Sequence, residues 1–231
     1  MEYIVYNREE RDICAHLFRL LLEDQPNWGP LKDFLRVEEV GDPRIFCEVA
    51  LIRDAYFVRK PHAENFINKL CDLIAEQHQI KNYTSFYDLP ENINNSEKTH
   101  PKQIRYKMKE MGILNSKEDD TVYGSLQAMF NAKPDLAICY KNSLIIFEAK
   151  YTLGFDNEQL RRTEQIGEAW AAFLYEDLGF ETKPDLQIKT LGLSVFNPDV
   201  SWEDVHRISR KYLRENDFTL EVFSKINDEL K

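Results

Sequence analysis

With 231 residues, 43% of them hydrophobic and 30% charged, the chain has ordinary globular composition and enough length to bury its own core, which excludes disorder or a fibrous repeat as its main content. A net charge of −10 argues against a non-specific nucleic-acid coat, yet is compatible with a carboxylate-lined cleft that holds cations. No apolar stretch reaches the roughly 20 residues of a membrane helix, the start (Met1, Glu2, Tyr3, Ile4, Val5) has no basic leader, and Cys14, Cys47, Cys71 and Cys139 form no close pairs. The expectation is a cytoplasmic protein with reduced cysteines and no membrane partner.

The first half reads as helical. Residues 8 to 24 put Ile13, Cys14, Leu17, Leu20 and Leu21 on one face after Asn7 as a cap, and a loop follows around Pro26, Trp28, Gly29 and Pro30. Residues 44 to 58 repeat apolar side chains at Ile45, Val49, Ile52 and Tyr56, the helical period again. A third helix is predicted over 63 to 79, with Phe66, Ile67, Leu70, Leu73 and Ile74 inward. Residues 92 to 99, rich in Asn, Ser and charge, are expected to form a flexible loop. A short amphipathic helix over 102 to 112 is expected to close with an acidic turn at 117 to 120.

The period then changes. Residues 136 to 140 (LAICY) and 144 to 151 (LIIFEAKY) are β-branched and aromatic runs separated by Lys141, Asn142 and Ser143, a hairpin signature. A long amphipathic helix over 156 to 178 follows, with Leu160, Ile166, Trp170, Phe173 and Leu174 inward and Gly179 as a stop. Then come a strand over 191 to 196 and helices over about 202 to 214 and 219 to 230. This order predicts an α/β protein with a small mixed sheet.

Chemistry concentrates in residues 133 to 150, KPDLAICYKNSLIIFEAK. Alternate strand residues share a face, so Glu148 and Lys150 continue the line of Leu144 and Ile146. Residues 144 to 147 are apolar on both faces, as in a strand buried between layers, and two charges at its end need a compensating reason. Asp135 on the hairpin partner supplies one, because two nearby carboxylates repel unless a cation sits between them. All-oxygen ligands favour magnesium, with manganese as a substitute. The tetrapeptide KPDL recurs at Lys183, Pro184, Asp185 and Leu186, but there Pro198 and Val200 stand where Glu148 and Lys150 stand after the first copy, so the second copy forms no site.

Pro134-Asp135 followed by Glu148-Ala149-Lys150 resembles the PD-(D/E)xK nuclease superfamily, whose fold is restriction-endonuclease-like. The resemblance covers the central third of the chain. It implies a core of one helix, a small mixed sheet and a second packing helix, together with Mg²⁺-dependent hydrolysis of phosphodiester bonds, in DNA more often than RNA. It implies Asp135 and Glu148 as metal-binding acids, Lys150 as the catalytic lysine and Ala149 as the donor of a backbone carbonyl to the metal. On this basis the chain is expected to be a single domain over 1–231. Residues 1–130 would be a helix-rich extension, the nuclease-like core would take about 131–200 plus the first helix (8–24), and 201–231 would be C-terminal helices.

Accessory candidates follow from the same resemblance. Glu10 lies on the apolar face of the first helix and is either a further metal acid or the capping-box partner of Asn7. Gln159 and Gln165 lie on the helix after the Glu-x-Lys strand; Gln159 also has a capping relation to Asp156, which favours Gln165, and the family's tyrosine four residues on is absent at both (Thr163 and Ala169). The basic segment with Lys102, Arg105 and Lys109 is either a phosphate track or a solvated helix face. Scattered glycines, the sequence Gly192-Leu193-Ser194-Val195-Phe196 without a second glycine, and five histidines without zinc-ligand spacing give no footing to nucleotide-loop, serine-hydrolase or zinc chemistry. Two hypotheses stand: a metal-dependent nuclease with nucleic acid as partner and a homodimer as a candidate assembly, or a catalytically silent nuclease-fold module that binds nucleic acid or a protein.

Overall fold

The computed structural model describes residues 10–60, 62–151 and 154–229, leaving aside the side chains of residues 10, 11, 228 and 229. In chain order the elements are α1 (Glu10–Leu21), α2 (Gly29–Leu35), β1 (Arg44–Cys47), α3 (Leu51–Arg59), α4 (Glu64–Gln77), α5 (Pro101–Glu110), α6 (Lys117–Asn131), β2 (Leu136–Tyr140), β3 (Ser143–Ala149), α7 (Asn157–Phe173), β4 (Asp185–Gly192), β5 (Val200–Ser201), α8 (Trp202–Tyr212) and α9 (Phe218–Glu229). The chain is α/β with one five-stranded mixed sheet in the order β1-β2-β3-β4-β5: β1–β2 and β2–β3 are antiparallel, β3–β4 and β4–β5 parallel. Among the described residues no helix is long and apolar enough to cross a membrane, and all four cysteines are free thiols.

The chain divides into two compact units, one of residues 1–49, 134–167 and 175–231, the other of 50–133 and 168–174. The first unit holds the sheet. The odd side chains of β3 (Ile145, Phe147, Ala149) join Leu17, Leu21 and Phe34 of α1 and α2 and Trp202, Val205 and Phe223 of α8 and α9 in a single core cluster, with the Phe34 and Phe147 rings 5.1 Å apart. The even side chains face α7, where a side chain at Gly167 would meet Ile146 and Leu186 at about 3 Å. Helices thus cover both faces of β3, which is why its apolar run has no polar alternation. In the second unit α4 and α6 bury Leu70, Ile74, Tyr123, Leu126 and Phe130.

Several expectations are corrected. Residues 44 to 58 are not one helix: 44–47 form β1, paired with β2 from Arg44↔Cys139 to Cys47↔Leu136, and the helix starts at Leu51. The apolar spacing fits both forms, and strand pairing decides between them. Glu48 then turns the chain with φ 56, the left-handed region that non-glycine residues seldom occupy. The loop expected around Trp28 to Pro30 instead opens α2, with the proline in its first turn, where a missing N–H costs nothing. The acidic residues 117 to 120 do not close a helix. They open α6, where Ser116 accepts from Asp119 N–H and the carboxylates face the positive end of the helix dipole.

Residues 92 to 99 are pinned rather than loose: Ile93, Ser96 and Thr99 are buried, Tyr56 donates to Ser96 O at 2.7 Å, and Glu64 accepts from the Ser96 amide and hydroxyl. α7 ends at Phe173, and turns carry the chain to Gly179 at φ +88. The strand expected over 191 to 196 lies earlier, at Asp185–Gly192, and Ser194–Phe196 is a single 3₁₀ turn. The half-exposed edge of β4 breaks the apolar run on which a sequence-based strand is recognised.

Candidate active site

Asp135 sits just before β2 because Pro134, without an amide hydrogen, lies outside the ladder and cannot pair there. Continuing the β2–β3 register one step past Leu136↔Phe147 brings Asp135 beside Glu148, and continuing β1–β2 past Cys47↔Leu136 brings Glu48 to the same end of the sheet. Asp135, Glu148 and Lys150 therefore meet at the end of the hairpin, on the face that carries α7. The second KPDL tetrapeptide opens β4 at the opposite end, where Asp185 is exposed and pairs in register with Ser143.

Asp135 Oδ2 accepts the Ala149 N–H at 2.8 Å; its Oδ1 has no hydrogen-bond donor among the described residues. Burial pushes the Asp135 carboxyl up to about 7, and the charges of Glu148 and Glu48 push the same way, against the Ala149 amide and the Lys150 ammonium. Cys47, in the same corner, is pushed up to about 11 by burial and then by Glu48 and Asp135. Three acids thus feel one another here.

Glu148 is 7% exposed. Its Oε2 accepts from the Thr163 hydroxyl at 2.8 Å, and its Oε1 accepts from the Gln159 side-chain amide and lies 3.5 Å from Lys150 Nζ. Gln159 and Thr163 are four residues apart on α7 and share a face. The Lys150 backbone is held on both sides: its N–H donates to Leu191 O at 2.8 Å, and its carbonyl accepts from Trp202 Nε1 at 2.9 Å. Thr190, opposite Glu148 in β4, bonds Asp199 through both its amide and its hydroxyl.

Of the two glutamines singled out in the sequence, Gln159 reaches Glu148; Gln165 stands two positions past Thr163, a spacing that does not share a helix face. Glu10 opens α1, but its side chain, like all of Asn7, lies outside the described residues. Ala149 touches Asp135 through its N–H. Lys102, Arg105 and Lys109 lie on α5 in the second unit, where Arg105 makes a two-point contact with Asp120 at 2.8 Å and Lys109 stands 3.7 Å from the same carboxylate. Two members of the site escaped sequence reasoning. Thr163 stands where the resemblance would place a tyrosine, and Glu48 falls inside the helix expected over 44 to 58; the signal for Glu48 is that it follows a possible strand.

A groove of about 590 Å³ between α2 and α8 shares no residue with this cluster, and its Arg36, Arg207 and Lys211 are matched by Asp204 and Asp33. Among the described residues no group of three or more His, Cys, Asp or Glu side chains is arranged to hold a metal ion. The donors present are nonetheless oxygens with surplus negative charge, and a carboxyl held near 7 by burial, with two neighbouring acids pushing the same way, is one whose ionised form a cation would stabilise. Comparison with protein-family models, curated proteins and solved structures finds no match.

Proposed function

We propose that the chain is a metal-dependent nuclease of the PD-(D/E)xK type, hydrolysing phosphodiester bonds in nucleic acid, DNA ahead of RNA, in the cytoplasm. One observation carries this: Asp135, Glu148 and Lys150 converge at the end of a buried hairpin, where Asp135 is kept near 7 by burial and by facing acids. The order α1, three antiparallel strands, α7 and a strand parallel to β3 supports the restriction-endonuclease-like core that the resemblance implies.

Asp135, through its free oxygen, and Glu148 would hold a Mg²⁺ or Mn²⁺ ion. Such an ion would supply charge stabilisation at the phosphate oxygens. Gln159 and Thr163 fix the Glu148 carboxylate by two hydrogen bonds, so its orientation is set before substrate arrives. Lys150, with its backbone locked between Leu191 and Trp202, carries its ammonium to the same end of the hairpin. There it can orient the attacking water and balance charge on the phosphate. Glu48 adds a third negative charge, which favours the cation-bound form.

The alternative, a silent module of the same fold, draws on one observation: both Glu148 oxygens already have partners within the chain. Cleavage of single- and double-stranded DNA and RNA with Mg²⁺ or Mn²⁺ separates the two. Wild type should cut at least one substrate, and Lys150→Ala and Asp135→Ala should each lose at least ~100-fold in rate. Activity that survives both substitutions would sink the site.

A further inference from the structure

Within the second unit, α3 and the start of α5 gather cations around an exposed aromatic ring. Arg53 and Phe57 are four residues apart on α3 and share a face, and Lys60 caps its C-terminus. Phe57 is 53% exposed and its neighbour Val58 80%. The His100 ring, at the N-cap of α5, lies 5.7 Å from Phe57 and 5.1 Å from the buried Tyr56. Lys60 Nζ stands 5.6 Å from the Tyr56 ring, and the Lys102 amide donates to His100 Nδ1 at 3.2 Å. Burial, then the charges of Lys102, Lys60 and Arg53, hold the His100 imidazole below its usual range.

Some cations of this unit are neutralised: Lys98 by Glu91, Arg105 and Lys109 by Asp120. Lys60 and Lys102, by contrast, have no carboxylate within 4 Å among the described residues, and Arg53 has only its exposed neighbour Asp54 at 3.0 Å. In a chain of net charge −10, two lysines without a carboxylate partner and an arginine paired only with its neighbour, on the elements that flank an exposed phenylalanine, form a local feature with one evident complement. Single-stranded nucleic acid offers backbone phosphates to lysine and arginine and unpaired bases to an aromatic face. A duplex hides its base faces, and an acidic protein surface would not call for a stacking ring.

We propose that this patch binds a single strand of nucleic acid, with Arg53, Lys60 and Lys102 on its phosphates and a base stacked on Phe57. The proposal deepens the nuclease assignment by naming the form of substrate, although binding here does not require an active Asp135 site.

The test is fluorescence anisotropy of the 231-residue chain with a labelled oligothymidylate of about 16 nucleotides, in EDTA so that nothing is cut. Phe57→Ala should weaken binding roughly 5- to 100-fold while Phe57→Trp retains it. The Lys60→Ala/Lys102→Ala double variant should lower the slope of log affinity against log salt by about 1.4. Absence of wild-type binding, or unchanged affinity and salt slope in these variants, overturns the patch, as does a duplex that binds as tightly as the single strand. Hydrolysis of bis(p-nitrophenyl) phosphate with Mn²⁺, a substrate too small to need the patch, reports on the nuclease site separately. If Lys150-dependent hydrolysis persists while the patch variants bind normally, the patch alone is wrong. If no phosphodiester is hydrolysed while the patch behaves as stated, the nuclease assignment alone is wrong.

Discussion

Asp135→Asn should make the metal-free protein more stable at alkaline pH, even though it removes a proposed metal ligand. The Asp135 carboxyl rises from 3.8 to about 7 on folding, chiefly through burial. The folded chain therefore binds this proton more tightly than the unfolded chain does. Its contribution to stability is full below about pH 4 and is lost as pH rises, until both states are ionised above about 7. At ~1.4 kcal/mol per pH unit, the loss across this window is about 4 kcal/mol. Asparagine has the same shape, keeps an acceptor for the Ala149 N–H and carries no charge. In EDTA the variant should nearly match wild type near pH 4 and exceed it by roughly 2–4 kcal/mol near pH 8, or roughly 5–15 °C in Tm for a chain of this size. Denaturant unfolding at the two pH values measures the gap. A gap that does not widen with pH, or a variant that is weaker near pH 8, would refute the burial of Asp135 against Glu148 and Glu48. Adding Mg²⁺ or Mn²⁺ should raise the Tm of wild type and leave that of Asp135→Asn unmoved.

Thr163→Val keeps the shape of a side chain that is 5% exposed but takes one donor from the buried Glu148 carboxylate. It should cost about 1.5–3 kcal/mol in denaturant unfolding near neutral pH; a change under about 0.5 kcal/mol would mean that solvent serves Glu148 instead. Gly179→Ala places a Cβ at φ +88 and into the Arg44 guanidinium, in the turn that leads from α7 toward β4. A loss of about 1–3 kcal/mol is expected, and a neutral result would mean that the turn adopts another conformation.

The hairpin was readable because its signal is local. Strand alternation puts Glu148 and Lys150 on one face whatever surrounds them, and the apolar runs on either side of Lys141 and Asn142 mark β2 and β3 without help from distant residues. β1 was not readable. Four residues, Arg44–Cys47, next to a helix show an apolar spacing that suits either form, and only hydrogen bonding to β2 makes them a strand. The acidic start of α6 was misread for a related reason: carboxylates mark the first turn of a helix only once the Ser116 cap is seen to precede them.

Residue chemistry along the chain by itself determined the acid, spacer and lysine, their shared face and the emptiness of the second KPDL copy. Tertiary structure alone decided which partners join them. Glu48 reaches Asp135 only because β1 pairs with β2 in one register, and Gln159 and Thr163 meet Glu148 because α7 packs on the face of the sheet that carries it. The physical reason is range. Strand alternation and capping act over a few residues, whereas burial of a carboxyl and the charges around it are sums over neighbours in space, which the order of residues does not specify.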